Sequence, residues 1–315
     1  MWDLVVQIFP YAIAFTIPLL ITALGGLFSE RSGVVNIGLE GLMVVGLFTG
    51  AIVINKYEAF NPANAVWAGL LAALVVGAIF ALLHAFASVT LNANQVISGT
   101  AINMIAGALT VYLARNITGS GHIQIVRGMG RQDVPILAEI PLVGKLLFTQ
   151  VYSTTWLVLL ILFISWFALY KTAFGLRLRA CGEHPHAADS AGINVYLMRY
   201  IAVMISGAYA SLGGAIILVT YSGEFNGTVG GLGFMALAAL IFGQWKPLGI
   251  LGATLFFGFA STIANVSQAI PALAQIPGII LKTFPFIVTL IALVLFSKSS
   301  QAPRAAGEPY DKGKR

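Results

Sequence analysis

The chain has 315 residues, of which 58% are apolar and only 9% charged, and a net charge of +6; its mean hydropathy is +0.91. Soluble domains carry about 25% charged residues, so this composition excludes a water-solvated globule and predicts an all-α polytopic bundle in contact with membrane lipid. The basic residues lie in short loops and near the end of the sequence, without an amphipathic basic face, which argues against nucleic acid, and the single Cys181 excludes an internal disulfide and a multi-cysteine metal site.

In chain order, apolar runs broken by polar or glycine-rich punctuation predict about nine spans: 4–27, 37–55, 64–89, 96–113, 153–170, 198–220, 229–244, 247–268 and 279–297. The first lacks the basic start and small-residue cleavage pattern of a signal peptide, so it is expected to stay as a membrane helix. The runs 37–55 and 229–244 are short and glycine-rich, which makes both candidates for partial or re-entrant helices. Lys171, Arg177, Arg179 and Arg199 cluster around one connection, and Lys298, Arg304, Lys312, Lys314 and Arg315 crowd the last residues; both groups are expected on the cytoplasmic side. The connection 114–152 is comparably basic, but long loops obey the charge rule weakly, and its Gly119–Gly121 turn with Pro135 and Pro141 suits an ordered surface loop. Residues 1–297 thus read as one membrane domain, and residues 298–315 as a short disordered cytoplasmic tail.

An internal echo is visible. The segment Ser32 to Leu39 follows the first span, and Asn226 to Gly233 follows the sixth; each pairs a glycine with a valine two residues on and then a glycine-bearing turn that opens a helix. In a nine-span chain the first and sixth helices run in opposite directions, which suggests an inverted repeat with substrate where the halves meet. Chance similarity between glycine-rich apolar stretches is the competing reading.

The polar segment of about 176–195, Leu176 to Val195, lies between two spans. Pro185 near its start, then Ala187, Ala188 and Ala191, predict a short helix with one small face, and Gly192 suits its end. Such a face fits a groove in another protein, although an ordinary interfacial helix would look the same.

At this point the chain resembles the permease subunits of ABC importers, whose cytoplasmic loop carries an EAA---G coupling motif. His186-Ala187-Ala188 followed by Gly192 matches it, with histidine where glutamate is usual. Glu183 upstream and Ala191-Gly192-Ile193-Asn194 downstream are similar to the branched-chain amino acid and simple-sugar branch. The strings Leu24 to Gly41 and Asn94 to Ala101 resemble its nucleoside-importing members. The resemblance implies a channel formed by two permease subunits, the same or homologous, in the bacterial inner membrane. Each would seat a coupling helix, here Glu183, His186, Ala187, Ala188, Ala191 and Gly192, in a cytoplasmic ABC ATPase, while an extracytoplasmic lipoprotein delivers substrate. ATP and magnesium would belong to the ATPase; the chain has no G-x-x-x-x-G-K-[ST] phosphate loop.

Polar residues inside apolar runs are candidates for the substrate path. Glu40, just beyond Asn36, either lines that path or complements a helix terminus. Asn94, Gln95, Ser98 and Asn103 belong to a polar stripe at the start of the fourth span, whose amides and hydroxyls suit a ribose or purine edge, with helix–helix hydrogen bonding as the competing role. Asn226 and Thr228 occupy the matching turn of the second half, and Phe234 could stack on a base or simply pack. No histidine has companions at metal-ligand spacing, and no Ser has His and Asp partners, so neither a metal nor a catalytic site is expected. A simple-sugar or branched-chain amino acid permease remains the alternative within the family, and a stand-alone secondary transporter the alternative outside it.

Overall fold

A computed structural model describes residues 2–141, 143–266 and 301–313, with scattered positions between 278 and 291. Seven helical segments among them are long and apolar enough to cross a membrane: Ile8–Arg31, Leu39–Tyr57, Ala65–Thr90, Gln95–Thr118, Ser153–Lys171, Val195–Ser222 and Pro247–Asn265. They are built from α1 (Trp2–Arg31), α2 (Leu39–Tyr57), α3 (Ala65–Phe80), α4 (Leu82–Ala85), α5 (Gln95–Thr118), α6 (Ser153–Lys171), α9 (Val195–Ile217) and α11 (Pro247–Val266). Two π-helical turns, Phe86–Thr90 and Leu218–Ser222, lengthen the third and sixth spans. Between α6 and α9 lie α7 (Ala173–Glu183) and α8 (Pro185–Ser190).

Four of the helix starts are fixed by capping side chains, which satisfy N–H groups that have no partner within the helix, that of α8 by His184 and the other three as follows. The Asn94 side chain accepts from Val96 N and Ile97 N at 2.9 and 3.1 Å, Thr172 Oγ1 from Gly175 N at 3.2 Å, and Asn194 Oδ1 from Leu197 N at 3.0 Å.

The exact count of about nine spans is not confirmed among the described residues. The run expected at 229–244 is α10 (Leu232–Phe242), eleven residues; at 1.5 Å per residue it reaches about 16 Å, half of a hydrocarbon core. The run 37–55 becomes α2, whose nineteen residues are enough to cross. Of the span expected at 279–297, a few positions are described and helical, and the rest falls outside the described residues.

α1 and α9 form the axis of the bundle. Gly25 of α1 faces Ser206, and Gly213 faces Thr22 and Pro18, so the two run antiparallel, as expected for the first and sixth spans. α2 and α3 pack on the same stretch of α9 through small residues. A Cβ added at Gly46 would strike the Ser211 backbone, and one at Gly214 the Met43 backbone. Lipid gives helices no hydrophobic reason to associate, so backbone approach of this kind supplies the dispersion contact that holds them. Ser211 Oγ adds a bond to Leu42 O at 2.7 Å.

Two short antiparallel pairs order the connection 114–152. β1 (Ile123–Gln124) pairs with β4 (Glu224–Phe225), and β2 (Arg131–Gln132) with β3 (Val151–Tyr152).

Of the tail read as disordered, 298–315, only residues 301–313 are described, and these are ordered. Residues 301–313 carry no helix or strand, yet Ala305 and Tyr310 are 4% and 3% exposed. Ala305 N donates to Gly182 O at 2.9 Å and Gly307 N to Gly33 O at 3.2 Å. Proline, glycine and charge in this stretch suggest a free chain, but a turn at 304–307, with Ala306 N on Pro303 O and Glu308 N on Ala305 O, and a neighbouring surface that bonds its backbone hold it in place.

Candidate functional site

The turn 32–38, between α1 and α2, is buried backbone without helical bonds, and side chains from distant elements complete it. Gln95 Oε1 accepts from Val35 N at 2.6 Å, and Asn103 accepts from Gly41 N at 2.7 Å while donating to Ile37 O at 3.1 Å. His84 Nε2 lies 3.1 Å from Val35 O and Nδ1 2.9 Å from Ser98 Oγ. A carbonyl only accepts, so Nε2 carries the proton, and in a neutral ring Nδ1 would accept from Ser98 Oγ. Asn36 donates to Ser206 Oγ on α9 at 3.0 Å and accepts from Gly38 N at 3.0 Å. The structure therefore brings Asn36, Gln95, Ser98 and Asn103 together, but aims their polar atoms at protein, save Gln95 Nε2, which is buried without a hydrogen-bond partner among the described residues. Asn94 is a helix cap.

Glu40 resolves the same way with a different consequence. Its carboxylate accepts from Gly231 N at 2.8 Å and Gly233 N at 2.6 Å, at the start of α10. The far end of α10 leads into the turn 243–246, where Trp245 O accepts from Arg31 Nη2 at 2.7 Å at the end of α1. A helix half a bilayer long whose far end lies level with the end of the first span begins partway along the bundle, as the discontinuous helices of transporters do. Gly231, the residue before the helix, has φ +84, a conformation open to glycine. Around this start Asn226, Thr228 and Phe234 are exposed. Asn226 Oδ1 accepts from Thr228 N at 3.3 Å and Thr228 Oγ1 from Gly230 N at 3.0 Å, bonds confined to the turn.

The short helix expected from the polar segment is present as α8. Pro185 opens it, His184 Nδ1 accepts from Ala187 N at 3.4 Å, and Gly192, with φ +82, closes it. His186, Ala187, Ala191 and Gly192 are exposed, whereas Ala188 is 4% exposed and faces its own bundle. Glu183 lies 3.8 Å from Arg31 Nη1, and beside it the Gly182 backbone packs directly on that of Arg31. Burial pushes the nearby Cys181 thiol up to about 11, which marks it as an inert packed side chain.

Three further groups carry the architecture without a local sequence signal. Arg199, expected as an orientation charge, is fully buried and donates to Ser32 O at 3.2 Å and Glu308 O at 3.1 Å. Trp245 Nε1 donates to Glu30, tying the turn before α11 to the end of α1. Among the described residues no group of three or more His, Cys, Asp or Glu is placed to hold a metal ion.

Seven candidate spans, a half-length helix opening inside the bundle and a solvent-facing short helix between spans define a multi-pass membrane protein built like a transport subunit. Residues 8–294 match the family described as branched-chain amino acid transport system / permease component, and the chain belongs to that family. It is similar to the guanosine ABC transporter permease protein NupQ of Bacillus subtilis, with 47% identity over 310 residues, 98% of this chain and 97% of that one. The nucleoside ABC transporter permease protein NupC of Lactococcus lactis is 41% identical over 301 residues, 95% of each chain. A second guanosine permease protein of B. subtilis, NupP, is 26% identical over 91% of this chain and 80% of its own.

Proposed function

We propose that this chain is a channel-forming permease subunit of a nucleoside importer in the bacterial inner membrane, moving its substrate by alternating access under the power of a separate ATPase. Near full-length identity of 47% to a guanosine permease carries the reading. The geometry of α10 supports it. A helix start inside a transporter attracts anions, but here Glu40 already occupies Gly231 N and Gly233 N. That arrangement suits an uncharged nucleoside and disfavours an amino acid carboxylate. Asn226, Thr228 and Phe234, exposed beside it, offer amide, hydroxyl and ring surface to a ribose and base.

On this reading the exposed side of α8, with His186, Ala187, Ala191 and Gly192, docks in the cytoplasmic ATPase, which binds the ATP and magnesium. Movement of α8 reaches α1 through Glu183 and Gly182 against Arg31, and reaches the α10–α11 turn through Arg31 on Trp245 O. B. subtilis holds two guanosine permeases, 47% and 26% identical to this chain, which supports a channel of two different permease subunits. A lipoprotein outside the membrane would supply substrate.

Cells carrying the complete importer, given labelled guanosine, ribose or leucine, test the proposal. Saturable guanosine uptake that requires the ATPase is expected. Uptake of leucine or ribose in its place, or ion-driven guanosine uptake by the purified permease without any ATPase, would overturn it.

A further inference from the structure

Residues 301–313 touch every element through which α8 is linked to the bundle. Gln301 N donates to Gln244 Oε1 at 3.2 Å in the α10–α11 turn. Ala305 N bonds to Gly182 O of α7, and Gly307 N to Gly33 O in the turn after α1. The Glu308 carbonyl takes one arm of Arg199, whose other arm holds Ser32 O. Beyond it the Tyr310 ring lies 5.1 Å from His186 on α8 and 5.4 Å from Tyr196 on α9, and the Tyr196 hydroxyl donates to Tyr310 O at 3.4 Å. Lys312 Nζ stands 3.6 Å from Asp189, also on α8.

α8 is six residues long. So short a helix has little stability of its own, and if tethered by its two flanking linkers alone, a push on its outer face would be absorbed by local unfolding. Tyr310 supplies a third attachment, a buried ring between α8 and α9, and the backbone bonds at Ala305 and Gly307 continue that attachment to α7 and the buried turn 32–38. The exposed Lys312–Asp189 pair contributes little by itself; the ring and the backbone bonds carry the link.

We propose that residues 301–313 form a strap that makes α8, α7 and the turn after α1 move as one body, with Tyr310 as the positioning residue that delivers ATPase-driven displacement of α8 to the transport path. The proposal rests on the reading of α8 as the ATPase-docking helix. Its test uses the complete importer in proteoliposomes and reads guanosine imported per ATP hydrolysed. With Tyr310→Ala, and separately with Ala305→Glu, the ATPase is expected to copurify as with wild type and to keep hydrolysing ATP. Guanosine per ATP is expected to fall about tenfold, within the range of couplings between distant sites. Tyr310→Phe keeps the ring between His186 and Tyr196 and is expected to restore the ratio. An unchanged ratio in Tyr310→Ala, a Phe variant as uncoupled as the Ala variant, or loss of ATPase copurification in the strap variants would each overturn the proposal. Ala191→Arg, on the exposed side of α8, tests the docking reading independently: if the ATPase still copurifies with it, that reading fails whatever the strap variants do.

Discussion

The turns that follow α1 and α9 differ in how many distant elements hold their backbones. Beyond local bonds of Ser32, Gly33 and Val34 N to the end of α1 and of Gly38 N to Asn36, residues 32–38 are bonded by side chains from α4, α5 and α9 and by the strap, partners spread across the chain. Residues 223–231 rest mainly on themselves: Ser222 Oγ bonds Glu224 O at 2.7 Å, and Asn226 and Thr228 bond within their own turn. From outside they take the short β1 pairing, extended by Ile125 N on Gly223 O and Gln124 Nε2 on Glu224, and the Glu40 carboxylate on Gly231. A turn bonded to four distant elements moves only if all of them move. One bonded locally can swing as a unit, the property expected of low-stability segments that rearrange in function. On the proposed reading of the chain as a permease, the first turn serves as the frame that moves only together with its neighbours, and the second as the part able to gate.

The contrast can be broken most severely at the axis both turns share. Gly214→Val drives a side chain into the Met43 backbone between α2 and α9, and is expected to destabilise the bundle by about 3 kcal/mol or more. The purified protein should aggregate on detergent extraction; a normal melting temperature would show that these helices do not approach as described. Asn103→Leu removes the partner of Ile37 O in the frame turn and of Gly41 N in the first turn of α2. With about 1–3 kcal/mol for a buried polar group left unpaired, a loss of about 2 kcal/mol is expected, read as a lower melting temperature. Asn226→Ala, in the gating turn, should change stability by no more than about 0.5 kcal/mol and lower guanosine uptake several-fold at unchanged melting. Equal melting shifts at Asn103 and Asn226 would erase the distinction between frame and gate.

Part of this was legible in the residues themselves. Pro185 and Gly192 bracket α8 because ring-fixed φ suits a helix start and positive φ suits its end. The run 229–244 was short enough to predict a partial helix, and α10 is one. The strap was not legible: prolines and glycines in a polar segment describe a free chain equally well, and its order comes from Gly182, Gly33 and Arg199, more than a hundred residues away in sequence.

The sequence by itself determined where the chain meets lipid, because each span must satisfy its backbone internally and that demand is written locally in long apolar runs. It also determined where several helices begin, since a cap acts within three residues. Only the tertiary structure decided what the buried amides and carboxylates serve. Asn103 and Glu40 can bond a ligand or a backbone with equal facility, and the choice fell to the two places where packing left peptide groups without partners: the turn after α1 and the start of α10.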